Sequence, residues 1–241
     1  MTKSTELLVL SGGFGTRLKT ILDNTPKTLA PVGDKTFLYL LLRRWVEDGY
    51  KIITLLLHYE AQQIKDYIDS LKKEEWLDDV SINFVEEKVP LGTGGSIANA
   101  VQILKIKDPF LITNSDTWLF KSFKGIEGGH LNSVGLVEAY DASRFGSVDI
   151  KNEYIISFNE KSHDVSRKDK FLINAGVYFM HPNVFLNHSK VAFSIEKEIF
   201  PKLASSRDLK PYLINGSIID IGIPEDYKQF CSLYEKGNLE L

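Results

Sequence analysis

The sequence predicts an α/β fold in which a mixed, mainly parallel sheet is flanked by helices within a single domain. Strand-like and helix-like segments alternate from the start of the chain to Thr113, which is typical of parallel strands joined by right-handed crossovers. The first strand-like segment, Leu7–Leu10, runs directly into a glycine-rich loop. With 241 residues, of which 43% are hydrophobic, the chain can build a sizeable core.

The segments of the first half follow from the spacing of their apolar residues. Helical spacing predicts helices, and short, nearly continuous apolar runs predict strands that are covered on both faces. The predicted strands are Leu7–Leu10, Lys51–His58, Val80–Val85 and Pro109–Thr113. The predicted helices are Lys35–Asp48, ended by Gly49, then Ala61–Lys72 and Gly95–Leu104.

The second half has a different pattern, with a hairpin and short mixed elements. Ser147–Ile150 and Tyr154–Asn159 flank a short polar turn and predict a hairpin. The other predicted elements are the strands Ser133–Ala139, Phe171–Met180, Tyr212–Ile214 and Ile218–Ile221 and the helices Pro182–Asn187, Ser194–Ala204 and Glu225–Lys236. No linker or repeat separates the halves, so we expect residues 1–132 to merge into residues 133–241.

Composition excludes several classes of protein. A net charge of −3 argues against nucleic-acid binding through a broad basic surface. No apolar run is long enough to span a membrane, and the polar segment Met1–Glu6 lacks a signal-peptide core. We therefore expect a cytoplasmic protein without membrane contact. Cys231 is the only cysteine, which excludes an intramolecular disulfide.

The loop after the first strand is suited to a polyphosphate. It contains the glycines Gly12, Gly13 and Gly15. Glycines let backbone N–H groups approach an anion closely, and Arg17 and Lys27 add two cations. The loop lacks the Gly-Lys-Ser/Thr of a Walker A motif, and Leu18 stands where the dinucleotide fingerprint needs its third glycine. A phosphate-binding loop of another type is therefore expected.

Two aspartates at predicted strands are candidates for a metal site. Asp116 follows the strand Pro109–Thr113, and Asp220 lies among apolar residues of the strand Ile218–Ile221. Asp116 taken alone is better explained as a turn or N-cap residue. Asp220 points to a partner, because aspartate is rarely buried without one. Two carboxylates beside a polyphosphate predict Mg²⁺, which binds through one or two carboxylates plus phosphate oxygens.

Together these motifs resemble those of the sugar-1-phosphate nucleotidyltransferases. The resemblance covers nearly the whole chain and is carried by Ser11–Leu18 with Pro26-Lys27, Leu91–Ser96, Asn114–Asp116 and Asp220–Asp226. It implies a Rossmann-like fold whose first half, 1–132, binds a nucleotide and whose second half, 133–241, binds a sugar phosphate. It also implies an enzyme that uses Mg²⁺, a nucleoside triphosphate and a sugar 1-phosphate, and that releases pyrophosphate.

The resemblance also implies roles for individual residues. Those implied to be catalytic are Arg17, Lys27, Asp116 and Asp220, with Asp116 and Asp220 as metal ligands. Those implied to bind the nucleotide are Leu10, Ser11, Gly12, Gly13, Gly15, Thr16, Arg17, Lys27, Gly92, Thr93, Gly94, Asn114 and Asp116. Those implied to bind the sugar phosphate are Gly146, Glu160, Lys161, Asn174, Gly176 and Glu196. The alternative for Glu160 and Lys161 is a surface ion pair of little consequence. A capping box explains Ser194, which precedes Glu196, equally well.

The base and the sugar are less well defined by the residues. Glu86 or Glu87 would accept the N–H donors of a guanine, although backbone carbonyls would do so equally well. Ser11–Lys19, Thr25–Val32 and Pro90–Ser96 look most like the heptose 1-phosphate guanylyltransferases. This implies GTP and D-glycero-α-D-manno-heptose 1-phosphate as substrates for surface polysaccharide synthesis. Mannose 1-phosphate guanylyltransferase, or another sugar-1-phosphate nucleotidyltransferase, is the alternative.

Two interpretations come from other classes of protein. A catalytically inactive relative would bind nucleotide or sugar phosphate as a regulator, and Mg²⁺-dependent release of pyrophosphate would exclude it. A nicotinamide-dependent oxidoreductase fits a parallel sheet, but its fingerprint is incomplete here. The sequence leaves the oligomeric state open, a homo-oligomer included.

Overall fold

A computed structural model describes residues 5–22, 25–142, 144–159, 170–186, 188 and 191–239. The chain forms two compact units. The first unit comprises Met1–Pro90, Asn114–Phe120 and Ile219–Leu241, and the second comprises Leu91–Thr113 and Lys121–Ile218. The expected halves, 1–132 and 133–241, are each continuous in sequence, whereas the two units interleave. The units interleave in sequence because the stretches that carry Asp116 and Asp220 belong to the first unit, although residues of the second unit precede both of them.

The regular elements within the described residues are strands and short helices. The strands are β1 (Glu6–Leu10), β2 (Pro31–Val32), β3 (Lys35–Thr36), β4 (Ile52–Leu57), β5 (Ser81–Glu86), β6 (Phe110–Asn114), β7 (Thr117–Leu119), β8 (Ser133–Ala139), β9 (Ser147–Lys151), β10 (Tyr154–Asn159), β11 (Phe171–Met180), β12 (Lys210–Leu213) and β13 (Ile218–Asp220). The α-helices are α1 (Lys19–Leu22), α2 (Phe37–Glu47), α3 (Ala61–Leu71), α4 (Gly92–Leu104), α5 (Ile195–Glu198), α6 (Phe200–Ser205) and α7 (Pro224–Glu235). Across these described stretches, no helix is long and apolar enough to cross a membrane.

Three parallel strands form the centre of the first unit. Leu8 of β1 pairs with Thr54 of β4, and Thr54 is in register with Asn83 of β5. The side chains of Leu7, Leu8 and Val9 are fully buried because this strand is apolar on both faces. The parallel strands predicted for the start of the chain are thus confirmed.

The core of the first unit also draws on α2, β7 and α7. Phe37, Trp118 and Phe230 form an aromatic cluster with ring centroids 4.9 to 6.5 Å apart. Offset and edge-to-face contacts of this kind stabilise a core beyond the burial of apolar area. From the same face of α7, the hydroxyl of Tyr227 donates to the carbonyl of Pro31. The last helix therefore holds the segment that contains β2.

The second unit is built around β11. This strand runs antiparallel to β6, β8 and β9, and β12 lies parallel to β8. β9 and β10 form the predicted hairpin, with a tight turn at Asn152 and Glu153. Both turn residues have positive φ, 51° and 66°, as a type I′ hairpin turn requires. The mixed character predicted for this half is confirmed.

Several predicted boundaries are wrong. Helix α4 begins at Gly92 rather than Gly95, because packing against Phe193 outweighs the low helix propensity of glycine. The predicted helix Ser194–Ala204 is two helices, α5 and α6, since Pro201 has no N–H to continue the hydrogen-bond series. Strands β2, β3 and β7 were not predicted, because two or three residues are too few to show a periodic pattern.

Candidate active site

The glycine loop continues from β1 across the end of β4. The N–H of Ser11 donates to the carbonyl of Leu56 at 3.0 Å, which extends the pairing of the two strands into the loop. Gly15 has a φ of +59°, and a Cβ at this position would lie 3.4 Å from the Cβ of Lys27. The backbone of the loop therefore passes closely over Lys27. Arg17 follows in a short 3-10 turn and is exposed to solvent.

Lys27 forms an ion pair with Asp116. Its ammonium group donates to Oδ2 of Asp116, and the two side chains are only 14% and 26% exposed. Such partial burial reduces screening by water and salt, so the attraction is stronger than in an exposed pair. Pro26 and the 3-10 helix Lys27–Leu29 fix the backbone around the lysine. A cation and a carboxylate are thus held together beside the glycine loop.

Backbone hydrogen bonds bring Asp116 and Asp220 together. Ser115 donates its N–H and its hydroxyl to the carbonyl of Leu10, at 3.2 and 2.8 Å. β7, which starts directly after Asp116, pairs with β13, which ends at Asp220. The N–H of Ile221 donates to the carbonyl of Asp116 at 2.9 Å. Both predicted metal ligands are consequently fixed near the end of β1.

The surroundings of Asp220 disfavour its negative charge. Burial raises the pKa of the Asp220 carboxyl, and the nearby Asp116 carboxylate raises this pKa further. Lys27, the N–H of Gly222 and Arg17 act in the opposite direction. The Gly222 N–H donates to Oδ1 of Asp220 at 2.7 Å. A Cβ on Gly222 would lie 3.3 Å from an Nη of Arg17, so glycine lets the guanidinium approach.

The donor set of Asp116 and Asp220 fits a magnesium ion that also binds phosphate. Mg²⁺ is bound in phosphate-transfer sites by one or two carboxylates, with substrate oxygens and water as the other ligands. In the part of the chain that the structure describes, no group of three or more His, Cys, Asp and Glu side chains could hold a metal ion. Burial and the Asp116 carboxylate raise the pKa of Asp220 in spite of the nearby Lys27 and Arg17, so its charged form is disfavoured. A divalent cation would favour that charged form.

The remaining nucleotide candidates of the first unit have different surroundings. Asn114 is half-buried at the end of β6. Glu86 forms an ion pair with Lys65 of α3. Glu87 is only 8% exposed, and its backbone carbonyl lies 3.0 Å from Nδ1 of His58. Glu86 is therefore engaged in a surface pair, whereas Glu87 is packed at the end of β5.

In the second unit, the glycines at the start of α4 pack closely against the segment around Phe193. The N–H groups of Gly94 and Gly95 donate to the carbonyl of Phe193 at 3.0 and 3.3 Å. A Cβ on Gly94 would lie 2.1 Å from the ring of Phe193, and one on Gly92 would lie 2.6 Å from its carbonyl oxygen. Side chains at these positions would force the segment around Phe193 to move. The assignment of Gly92, Thr93 and Gly94 to the nucleotide stays a prediction.

Glu196 holds α5 to the start of α4. Its Oε2 accepts hydrogen bonds from the hydroxyls of Thr93 at 2.8 Å and Ser194 at 2.6 Å. The hydroxyl oxygen of Thr93 also accepts the N–H of Ile195 at 3.0 Å. Ser194 accepts the N–H of Lys197 at 3.3 Å, which is the helix cap that the sequence suggests. A contact of Glu196 with a sugar phosphate stays a prediction.

Three predicted sugar-phosphate residues of the second unit lie together around a bulge in β11. Asn174 donates from Nδ2 to the hydroxyl of Tyr178 and accepts the N–H of Gly176, both at 2.9 Å. Its backbone N–H donates to the carbonyl of Gly146 at 2.8 Å. Gly176 has a φ of 71°, where the register of β11 against β8 shifts. Glu160 and Lys161, the other two predicted residues in this region, lie outside the described residues.

Sequence reasoning missed residues that hold the first-unit site together. Ser115 stands between two residues of a recognised motif, and its hydrogen bonds to Leu10 emerge only from the fold. Gly222 is needed for the approach of Arg17. His58 carries no predicted role, although its position at the end of a buried strand is a signal that could have singled it out.

Comparison with known proteins establishes the family. Residues 6–237 match the nucleotidyl transferase family, and the chain therefore belongs to it. The match covers nearly the whole chain and includes the glycine loop, Lys27, Asp116 and Asp220. The predicted class of enzyme, a nucleotidyltransferase, is confirmed.

Individual relatives agree with this family. The D-glycero-alpha-D-manno-heptose 1-phosphate guanylyltransferase of Campylobacter jejuni is 32% identical, over 93% of this chain and 98% of its own length. The mannose-1-phosphate guanylyltransferase catalytic subunit beta of Drosophila melanogaster is 34% identical, over 95% of this chain and 63% of its own length. The crystal structure of HddC from Yersinia pseudotuberculosis matches with a TM-score of 0.80 at 32% identity, over 95% of this chain and 99% of that chain. HddC complexed with GMP-PN matches with a TM-score of 0.79. The predicted fold class is confirmed by these matches.

Proposed function

We propose that the protein transfers a guanylyl group from GTP to D-glycero-α-D-manno-heptose 1-phosphate, with Mg²⁺, and supplies a nucleotide sugar for surface polysaccharide synthesis. The observation that carries the proposal is the convergence of Lys27, Arg17, Asp116 and Asp220 beside the glycine loop. A site with two cations and two carboxylates suits a metal–triphosphate complex better than a site with only cations or only carboxylates, because the cations bind phosphate and the carboxylates bind the metal.

The reaction needs positioning and charge stabilisation more than acid–base chemistry. An anionic oxygen of the sugar 1-phosphate attacks the α-phosphorus of the triphosphate and forms the new P–O bond. The bond from the α-phosphorus to the oxygen that bridges to the β-phosphorus breaks, and pyrophosphate leaves with that electron pair. Since the nucleophile is already ionised at neutral pH, no proton has to be removed from it. Holding two anions in line against their repulsion is then the main task of the protein.

The residues of the first unit would divide this task. Lys27 would exchange its partner Asp116 for a phosphate oxygen when the triphosphate binds. Arg17, exposed and close to Gly222, would offset the charge that develops on the leaving pyrophosphate. Asp116 and Asp220 would hold Mg²⁺, which supplies positive charge to the phosphate oxygens when bound.

The choice of GTP and of a manno-configured heptose is supported by the relatives. A heptose 1-phosphate guanylyltransferase matches over almost its whole length, and HddC has been crystallised with GMP-PN. Glu86 and Glu87, at the end of β5, are the candidate acceptors for the N–H donors of the guanine. The alternative sugar, mannose 1-phosphate, is supported by the similarity to the Drosophila enzyme.

The sugar phosphate would be bound by residues of the second unit. Gly146, Asn174 and Gly176 are already brought together there, and Glu160 and Lys161 follow the hairpin directly. In this assignment Lys161 neutralises the sugar phosphate. Lys161→Ala should therefore raise the KM for sugar 1-phosphate and leave the KM for the triphosphate nearly unchanged. Titrating each substrate at saturation of the other tests this, and a selective nucleotide defect would move Lys161 to the other subsite.

One experiment tests the proposal as a whole. Pyrophosphate release is measured for GTP, ATP, CTP, UTP and dTTP against heptose, mannose and glucose 1-phosphates, with and without Mg²⁺. The expected result is the highest kcat/KM for GTP with the heptose, and a lower value with mannose 1-phosphate. A clear preference for dTTP or CTP would overturn the guanylyl assignment. Nucleotide binding without any Mg²⁺-dependent pyrophosphate release would favour a regulatory protein.

A further inference from the structure

The ring of His58 lies between the glycine loop and the end of β5, and the reaction described above gives it no role. Nδ1 of His58 is 3.0 Å from the backbone carbonyl oxygen of Glu87. Because a carbonyl oxygen only accepts, Nδ1 must carry the hydrogen of this bond. The bond fixes the orientation of the imidazole, since β5 is itself paired with β4, the strand that His58 follows.

The glycine loop lies close to His58 at two points. A Cβ on Gly12 would lie 3.2 Å from the Cβ of His58, so the loop backbone passes close to that residue. The ring of Phe14 meets the imidazole edge-on, with centroids 5.5 Å apart and an interplanar angle of 86°, and lies 5.6 Å from the ring of Tyr59. Phe14 is nevertheless 45% exposed. Its ring contacts therefore fasten the loop rather than fill the core.

We infer that Phe14 and His58 are positioning residues that hold the glycine loop ready for the nucleoside triphosphate, an inference that rests on the proposed function. Glycine has the largest conformational freedom of any residue, so a loop with Gly12, Gly13 and Gly15 loses much entropy when a ligand orders it. A loop that ring contacts already hold loses less on binding. The benefit is expected in triphosphate affinity and not in the sugar phosphate or in the chemical step.

Matched substitutions separate the two interactions of His58. His58→Asn keeps a side-chain N–H donor in reach of the Glu87 carbonyl but removes the ring. His58→Phe keeps a ring against Phe14 but removes the donor. Phe14→Ala removes the partner ring, and Tyr140→Ala removes an exposed ring, 78% accessible and in the second unit, as a control. Each variant is assayed for kcat, for both KM values, for the Kd of a non-hydrolysable GTP analogue by calorimetry, and for Tm.

The expected pattern is specific to a loop-holding role. Phe14→Ala and His58→Asn should raise the triphosphate KM and Kd by about two- to tenfold, the range of one aromatic pair, with kcat and the sugar 1-phosphate KM unchanged. His58→Phe should recover most of the loss. The double variant Phe14→Ala/His58→Asn should be no worse than Phe14→Ala alone, because that substitution already removes the ring contact with His58.

Three results would overturn the inference. The first is an unchanged triphosphate Kd in Phe14→Ala, and the second is an additive loss in the double variant. The third is a rise in the KM for both substrates together with a lower Tm, since that pattern marks a general structural role. The unsubstituted protein is assayed first. If it releases no pyrophosphate, the proposed function fails, whereas an active protein with unaffected variants refutes only the role of Phe14 and His58.

Discussion

The backbone N–H of Ile221 donates to the carbonyl of Asp116 at 2.9 Å, one residue away from Asp220. This single bond sets the spacing of the two carboxylates that would hold the metal. Ser115 fastens the same segment to the end of β1, where the glycine loop begins. The two aspartates and the glycine loop are therefore held by one hydrogen-bonded framework. Such preorganisation is what catalysis by positioning requires.

Removal of either carboxylate should abolish turnover without unfolding the protein. Asp116→Asn and Asp220→Asn each remove one ligand of Mg²⁺ while keeping the shape of the side chain. The lost stabilisation should amount to several kcal/mol, or at least about a hundredfold in kcat. Steady-state pyrophosphate release over a range of Mg²⁺ concentrations measures this, with circular dichroism as the check on folding. Near-normal Mg²⁺-dependent turnover in either variant would refute its assignment as a ligand.

Asp220→Asn should also make the metal-free protein more stable near neutral pH. Burial and the Asp116 carboxylate raise the pKa of Asp220 in the folded state. A carboxyl with a raised folded-state pKa stabilises the fold when protonated, and this contribution is lost as the pH rises above its ordinary value of 3.8. The asparagine keeps an oxygen for the N–H of Gly222 and carries no charge. Asp220→Asn is thus expected to raise the stability of the metal-free protein and to abolish its activity.

Thermal unfolding in EDTA measures that effect. The Tm of Asp220→Asn should exceed that of the unsubstituted protein at pH 7, and the difference should shrink at acidic pH. Asp78→Asn, which removes an exposed aspartate of the same unit, serves as the control and should leave the Tm unchanged. A lower Tm for Asp220→Asn at pH 7 would mean that its charge stabilises the metal-free fold.

Arg17→Ala should lower kcat more than it weakens nucleotide binding. Arg17 is exposed, so its removal is expected to leave the fold intact. Its charge is expected to matter most as the leaving pyrophosphate gains negative charge. Single-turnover rates and the Kd of a GTP analogue separate the two effects, with Arg17→Lys as the matched variant. A weaker Kd with an unchanged saturated rate would instead make Arg17 an anchor for the bound substrate.

Much of the first-unit site could be predicted from the sequence because its signals are local. A buried strand that ends in Gly12 and Gly13 is visible as a pattern, and so is Asp220 among apolar residues. Its meeting with Asp116 is expected because both aspartates are placed beside a polyphosphate loop, but the pairing of β7 with β13 that joins them could not be predicted. A strand of three residues carries no periodicity.

The glycines of α4 show the opposite case. Gly92 and Gly94 are assigned to the nucleotide only by the resemblance, whereas the residues themselves indicate a turn at the start of a helix. The structure places them inside the helix, against the backbone and ring of Phe193. Phe193 is about a hundred residues away in the chain, so no local sequence pattern could predict this contact. A glycine motif alone therefore cannot distinguish a ligand contact from close packing.

Two glycine substitutions should separate these two uses of glycine. A Cβ on Gly13 would meet no atom within 4 Å, and its φ lies outside the left-handed region, so the fold itself does not require glycine there. Gly92 has a φ of +69°, and a Cβ would lie 2.6 Å from the carbonyl oxygen of Phe193. Gly92→Ala should therefore cost about 1 to 3 kcal/mol of stability and lower the Tm by several degrees.

Gly13→Ala should leave the Tm unchanged but raise the KM for GTP by about tenfold or more, equivalent to about 1.4 kcal/mol. The reason is that the added methyl group would stand where the backbone of the loop has to approach the phosphates. Differential scanning fluorimetry and steady-state kinetics on both variants give the comparison. An unchanged KM for GTP in Gly13→Ala would place the triphosphate away from this loop. An unchanged Tm in Gly92→Ala would show that the segment around Phe193 can move to accommodate the added methyl group.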